Sequence, residues 1–183
     1  LMEWPLDHVV KVLCFCHPDD DAATRADQEA TVRRLYTAAR RNRLEFLLEI
    51  IPSKVAPVDD MTSATLIRRF YDIGIFPDWW KLEPFTTDAA WANACSAITA
   101  NDPHVRGVVV LGLDASEADL SASLALAAKH PLVKGFAIGR TIFGDAARAW
   151  LKGEMTDTAA VEMMSDRYAR LANLWDKVRE GAS

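Results

Sequence analysis

The stretch "PDWWKLEPF", residues 77–85, is a short aromatic and aliphatic run with Lys81 in its middle. Runs of this kind that end near turn formers read as strands. Lysine is among the residues least often fully buried, so Lys81 needs a reason to be there. Four further runs share the pattern: "VVKVLCFC" (9–16), "LEFLLEII" (44–51), "GVVVLGL" (107–113) and "VKGFAIGR" (133–140). Near-continuous apolar strands are typically buried on both faces and parallel. The sequence therefore predicts five parallel strands with both faces covered.

Helical patterns fill the gaps. "HPDDDAATRADQEATVRRLYTAARRN" offers acidic residues for a helix N-terminus, then Val32, Leu35, Tyr36 and Ala39 at helical spacing. A second helix is expected over 59–73, from "DD" to Gly74 as a C-cap. "TTDAAWANACSAIT" puts Trp91, Ala94, Cys95 and Ile98 on one face. "SEADLSASLALAAKH" starts with Ser116 as N-cap and Asp119 in the place of a capping-box acid. A last helix, 157–180, carries Val161, Met164, Tyr168, Leu171, Trp175 and Val178 in a stripe. That stripe fits a helix packed on the sheet or a subunit seam. The order β-α-β-α-β-α-β-α-β-α, in units of ~30 residues, fits an open doubly wound sheet or part of a (β/α)8 barrel.

The 183 residues are 50% hydrophobic and 26% charged, which suits one domain spanning 1–183. A net charge of −5 gives no general attraction to nucleic acid or anionic membrane. No apolar run approaches a membrane span. Three cysteines argue against a disulfide framework and for a reducing cytoplasm. The opening "LMEWPLDHVV" is not a signal peptide and reads as the continuation of something upstream.

The strands contain charged residues. Alternation along each run groups Lys11, Leu13, Phe15 and His17; Leu47, Glu49 and Ile51; Trp79, Lys81 and Glu83; and Phe136, Ile138 and Arg140. Glu83 and Lys54 could be solvated at strand ends, and Lys11 and Glu49 could form a structural pair. Buried ion pairs are poor stabilisers, however, so charges in successive parallel strands suggest chemistry. A buried lysine beside another cation loses its proton more readily, and the free amine attacks carbonyls. A nearby carboxylate can move the protons. "LGLDAS" (111–116) and "IGRTIFG" (138–144) add glycine-bearing loops, one opening a helix and one carrying an arginine, which together suit an anion.

"VVKVLCFC", "FLLEII", "DWWKLEP", "VVVLGL" and "GFAIGRTIF", in this order, resemble the tagatose-bisphosphate aldolase branch of class I, Schiff-base aldolases. With "HPDD", "PDWWKLEP" and "GFAIGRTIFG", the likeness is closest to the aldolase-like domain fused behind bacterial 5-dehydro-2-deoxygluconokinase in inositol catabolism. The resemblance implies a single aldolase-like domain that supplies strands four to eight of a (β/α)8 barrel and lacks the first βα units. It implies Lys81 as the Schiff-base lysine, Glu49 as the proton shuttle and Lys11 as the lysine that polarises the reacting centre. Arg140, Gly139 and Gly112 fall on the phosphate site. His17 stands where the tagatose enzymes carry an acidic substrate contact. No metal or other cofactor is implied.

The resemblance favours cleavage of 5-dehydro-2-deoxygluconate 6-phosphate to dihydroxyacetone phosphate and malonate semialdehyde. A second reading is a non-catalytic sugar-phosphate-binding or scaffolding module attached to a sugar kinase. A third is a metal site at "CFCHPDDD", set against a plain helix cap. Expected partners are a phosphorylated keto sugar, a fused sugar-kinase domain, and other copies or the missing strands, because a half barrel leaves edges and an apolar inner face open.

Overall fold

The computed structural model describes residues 1–112 and 116–181. Five strands, β1 (Val9–Cys14), β2 (Glu45–Ile50), β3 (Trp79–Leu82), β4 (Gly107–Val110) and β5 (Val133–Phe136), alternate with helices. The helices are α1 (Ala22–Arg41), α2 (Thr62–Asp72), α3 (Asp88–Asn101), α4 (Glu117–Ala127), α5 (Arg140–Leu151) and α6 (Asp157–Gly181), and a 3-10 turn spans Pro52–Lys54. All neighbouring strands are parallel. The sheet order is β1-β2-β3-β4-β5, the order of the chain. A doubly wound sheet reverses direction at a switch point. This one does not, so the fold is a partial barrel of five βα units.

In β1–β4 the even-numbered side chains form the core, and in β5, after a register shift beside Val108 and Val109, Val133 takes that place. Val10, Phe46, Leu48, Ile50, Trp80, Leu82, Val108 and Val110 are buried among helix residues such as Val32, Leu66, Phe70, Trp91, Ile98 and Leu124. Trp80 packs against Phe70 and Tyr71 of α2 and donates its indole N–H to the Tyr71 hydroxyl at 2.9 Å. The odd-numbered face is open: Val9, Leu13 and Phe15 are all exposed. The expectation of strands covered on both sides is thus corrected. Helices cover one face only, and the other corresponds to the interior of a closed barrel.

Local chemistry sets the helix ends. Asp21 caps α1, accepting from the Ala23 and Thr24 N–H groups. Ser116 accepts from the Asp119 N–H and so caps α4. Gly74 follows α2 at φ +80, the left-handed conformation a C-cap glycine provides. α2 starts at Thr62 rather than 59, because the Asp59 carboxylate accepts from the Met61 N–H and the Thr62 hydroxyl and so holds a turn. α6 packs on α5 and α4, and its stripe is covered unevenly, with Leu171 buried and Val161 and Tyr168 exposed. Among the described residues no helix is long and apolar enough to cross a membrane.

Candidate active site

Pairing register brings the charges together. Glu49 lies directly opposite Lys81 across β2 and β3. Leu13 is opposite Glu49 on the other side, and Lys11 lies two residues earlier on β1. All three charged side chains stand on the odd, open face. Lys81 Nζ is 3.2 Å from Glu49 Oε1, and Lys11 Nζ makes an ion pair with Glu49 Oε2. The Glu49 side chain is 6% exposed, against 17% for Lys81 and 45% for Lys11. A carboxylate taken out of water is costly unless it is paired, and here each oxygen has its own lysine.

These three groups share a cavity of about 330 Å³ with Leu13, Phe15, Lys54, Gly112, Gly139, Arg140 and Thr141. It lies at the carboxyl ends of the strands, where α/β barrels place their chemistry. Two glycines shape its far wall. A side chain at Gly112 would meet Ile138 at 3.0 Å and Thr141 Oγ1 at 3.1 Å, and one at Gly139 would meet the Phe143 ring at 3.1 Å. Gly139 is also the N-cap of α5, accepting the Ile142 N–H at 2.8 Å. The orphan N–H groups of a helix start therefore belong to the same wall as Arg140.

The structure thus gathers Lys81, Glu49, Lys11, Arg140, Gly139 and Gly112 around one cavity. Arg140 opens α5 and does not end a strand, since β5 stops at Phe136. Residues 113–115 of the "LGLDAS" loop lie outside the described residues.

His17 lies elsewhere, lining a separate cleft with Asp19, Pro57 and Thr62. Its Nδ1 accepts from the Asp19 N–H at 3.2 Å, which leaves Nε2 to donate to the Pro57 carbonyl at 3.0 Å. The imidazole ties the loop after β1 to the loop before α2. Four other residues of "CFCHPDDD" are likewise engaged elsewhere. Asp20 accepts from the His17 N–H, Asp21 caps α1, and Cys14 and Cys16 are buried in the core. Among the described residues no three His, Cys, Asp or Glu side chains cluster as metal ligands would.

Trp79 does not wall the site. It sits at the start of β3, and its indole N–H donates to Glu45 Oε2 at 2.8 Å. Glu83, for which a solvated strand end was one reading, is buried and accepts from both the hydroxyl and the N–H of Ser53. Burial pushes its carboxyl above the usual carboxylate range, against the opposing pull of the Ser53 donors and the Lys54 charge. Lys54, Thr141 and Phe143 belong to the cavity although alternation could not place them, because they lie beyond the strand ends.

An all-parallel sheet in chain order, open on the face that carries the lysine–glutamate–lysine group, defines a partial α/β-barrel fold. The chain belongs to the family described as "Uncharacterized protein conserved in bacteria" (DUF2090), which matches residues 1–179. No curated protein matches it. Its fold is similar to that of fructose-bisphosphate aldolase from Plasmodium falciparum, solved in complex with TRAP and a small-molecule inhibitor. That likeness has a TM-score of 0.66 and 14% identity over 95% of this chain and 57% of the aldolase chain. Cgl0159 from Corynebacterium glutamicum is similar with a TM-score of 0.50 and 20% identity, over 86% of this chain and 50% of the other. This chain therefore spans between 50% and 57% of the length of these structural relatives.

Proposed function

We propose that the protein is a class I aldolase-type lyase acting on 5-dehydro-2-deoxygluconate 6-phosphate in inositol catabolism. The observation that carries this reading is Glu49 held between Lys81 and Lys11 in a cavity that also contains Arg140 and two close-packed glycines. Lys81 attacks the C5 ketone, and loss of water from the carbinolamine gives an iminium. Glu49 takes the proton of the C3 hydroxyl. The C3–C4 bond breaks, its electrons pass to the iminium, and malonate semialdehyde leaves. Protonation of the resulting enamine at C4, followed by hydrolysis, releases dihydroxyacetone phosphate and restores Lys81. Lys11 supports the developing charge, and Arg140 with the Gly139 and Gly112 backbone holds the phosphate. None of these steps calls for a metal.

In this reading the open face is closed by further βα units, supplied by the remainder of a longer protein or by another chain. A fused sugar kinase and a cytoplasmic setting accompany it. One observation favours the alternative of a sugar-phosphate-binding module: Lys11 is 45% exposed, so the partial barrel alone does not exclude water from the reacting groups. The test is release of dihydroxyacetone phosphate from 5-dehydro-2-deoxygluconate 6-phosphate by the full-length gene product. Turnover is expected in the wild type and lost, with the fold retained, in Lys81→Met. Binding without turnover in the wild type would leave the module reading.

A further inference from the structure

The pairing of β2 with β3 stops at the reacting groups. Its last pair is Glu49 opposite Lys81. On their outer sides the same two strands stay paired further, with Cys14 opposite Ile50 and Leu82 opposite Val110. Backbone bonds continue both outer seams, from the Ile51 N–H to the Cys14 carbonyl at 3.2 Å and from the Leu111 N–H to the Leu82 carbonyl at 2.9 Å. Across the β2–β3 seam, the described hydrogen bonds past the last pair are those of Ser53, whose N–H and hydroxyl both donate to the Glu83 carboxylate.

Both ends of this bridge are anchored. On the β2 side Pro52 is buried, and its carbonyl accepts the Val55 N–H at 2.9 Å. On the β3 side the Phe85 carbonyl accepts the Ser123 hydroxyl at 2.9 Å, and the Phe85 and Trp91 ring centroids lie 4.5 Å apart. Glu83 itself is 5% exposed. Burying a carboxyl is costly unless it is bonded, and here both donors come from one residue of the neighbouring unit.

We propose that Glu83 is a positioning residue, which clamps Ser53 and so closes the β2–β3 seam just past its last pair, holding Glu49 against Lys81. This rests on the reading of Lys81 and Glu49 as the reacting pair. Glu83 is not among the described residues that line the cavity, so it acts through the strands and not on the substrate. The leverage is geometric, since a displacement of about 1 Å between reacting groups can cost on the order of 100-fold in rate.

The test is a double-mutant cycle between Lys81 and Glu49, read by urea unfolding of the protein in four backgrounds: wild type, Glu83→Ala, Glu83→Gln and Ser53→Ala. It needs no substrate. In the wild-type background Lys81→Met should be near neutral beside Glu49 and stabilising beside Glu49→Gln, because Lys81 is then left near Lys11 without a carboxylate. The two effects should differ by about fivefold in the unfolding constant, as for residues in contact, and by less than about twofold in Glu83→Ala, as for independent sites. Glu83→Gln removes the charge but keeps an acceptor for Ser53, and should retain the wild-type coupling. Ser53→Ala, which leaves Glu83 in place with one donor, should weaken the coupling, and it decides the matter if Glu83→Ala does not fold.

A Glu83 that only stabilised the fold would lower stability in its variants and leave the coupling unchanged. That result would overturn the proposal. So would absence of coupling in the wild type, or its loss in Glu83→Gln, which would assign the effect to charge. Failure of the lyase reading is seen separately, as absence of turnover in the wild type with the coupling and its dependence on Glu83 intact.

Discussion

Glu49 is buried with a lysine on each side, and this arrangement is easier to explain by reactivity than by stability. Replacing a buried ion pair with apolar residues is often neutral or stabilising, so a fold under no other constraint has little reason to keep it. Glu83 shows a different use of a buried carboxyl. Its acidity is weakened by burial, so the folded chain binds the proton more tightly than the unfolded chain. The stability this contributes is complete below the unfolded value, about pH 4.3, and is lost as pH rises through the folded value. Urea unfolding of wild type and Glu83→Gln at pH 4 and pH 7 should therefore show the variant gaining ground on the wild type as pH rises. A difference that does not change with pH would show that Glu83 titrates alike in both states. At this scale alternation placed Lys11, Glu49 and Lys81 on one face. It left open whether Glu83 is solvated or buried, because the Ser53 turn that covers it comes from a neighbouring unit, and nothing in the spacing of β3 reveals that contact.

Within β3, Trp80 and Lys81 are adjacent and face opposite ways. Trp80 lies in the core against Phe70 and Tyr71, whereas Lys81 faces the open cavity. Trp80→Ala should cost about 3–5 kcal/mol, as large core truncations do, and would leave the Tyr71 hydroxyl without its indole donor. Lys81→Met keeps the side-chain volume on the open face and leaves Glu49 paired with Lys11, so its denaturation midpoint should stay near that of the wild type. Similar losses from both substitutions would mean that the two faces do not differ as the structure shows. The existence and order of strands and helices were legible from apolar runs and caps. The covering of the faces was not. A continuous apolar run predicts two covered faces, and here Val9, Leu13 and Phe15 are apolar on a face that no helix covers. Arg140 was likewise read as a strand end, because the short β5 gives way to a helix within four residues.

For the whole molecule, the deciding feature is the sheet order, which no local pattern encodes. A doubly wound sheet and a barrel share the same βα alternation, and only pairing in chain order, β1 to β5, separates them. The order leaves β1 and β5 each paired on one side only, and it brings the loops after β2, β4 and β5 to a common cavity. The covalent chemistry assigned to that cavity depends on one atom, Lys81 Nζ. Borohydride reduction of the full-length gene product in the presence of 5-dehydro-2-deoxygluconate 6-phosphate or dihydroxyacetone phosphate, followed by peptide mapping, reads that atom directly. The account predicts a reduced three-carbon adduct on Lys81, absent in Lys81→Met. An adduct on Lys11, Lys54 or any other lysine, or none at all, would contradict it.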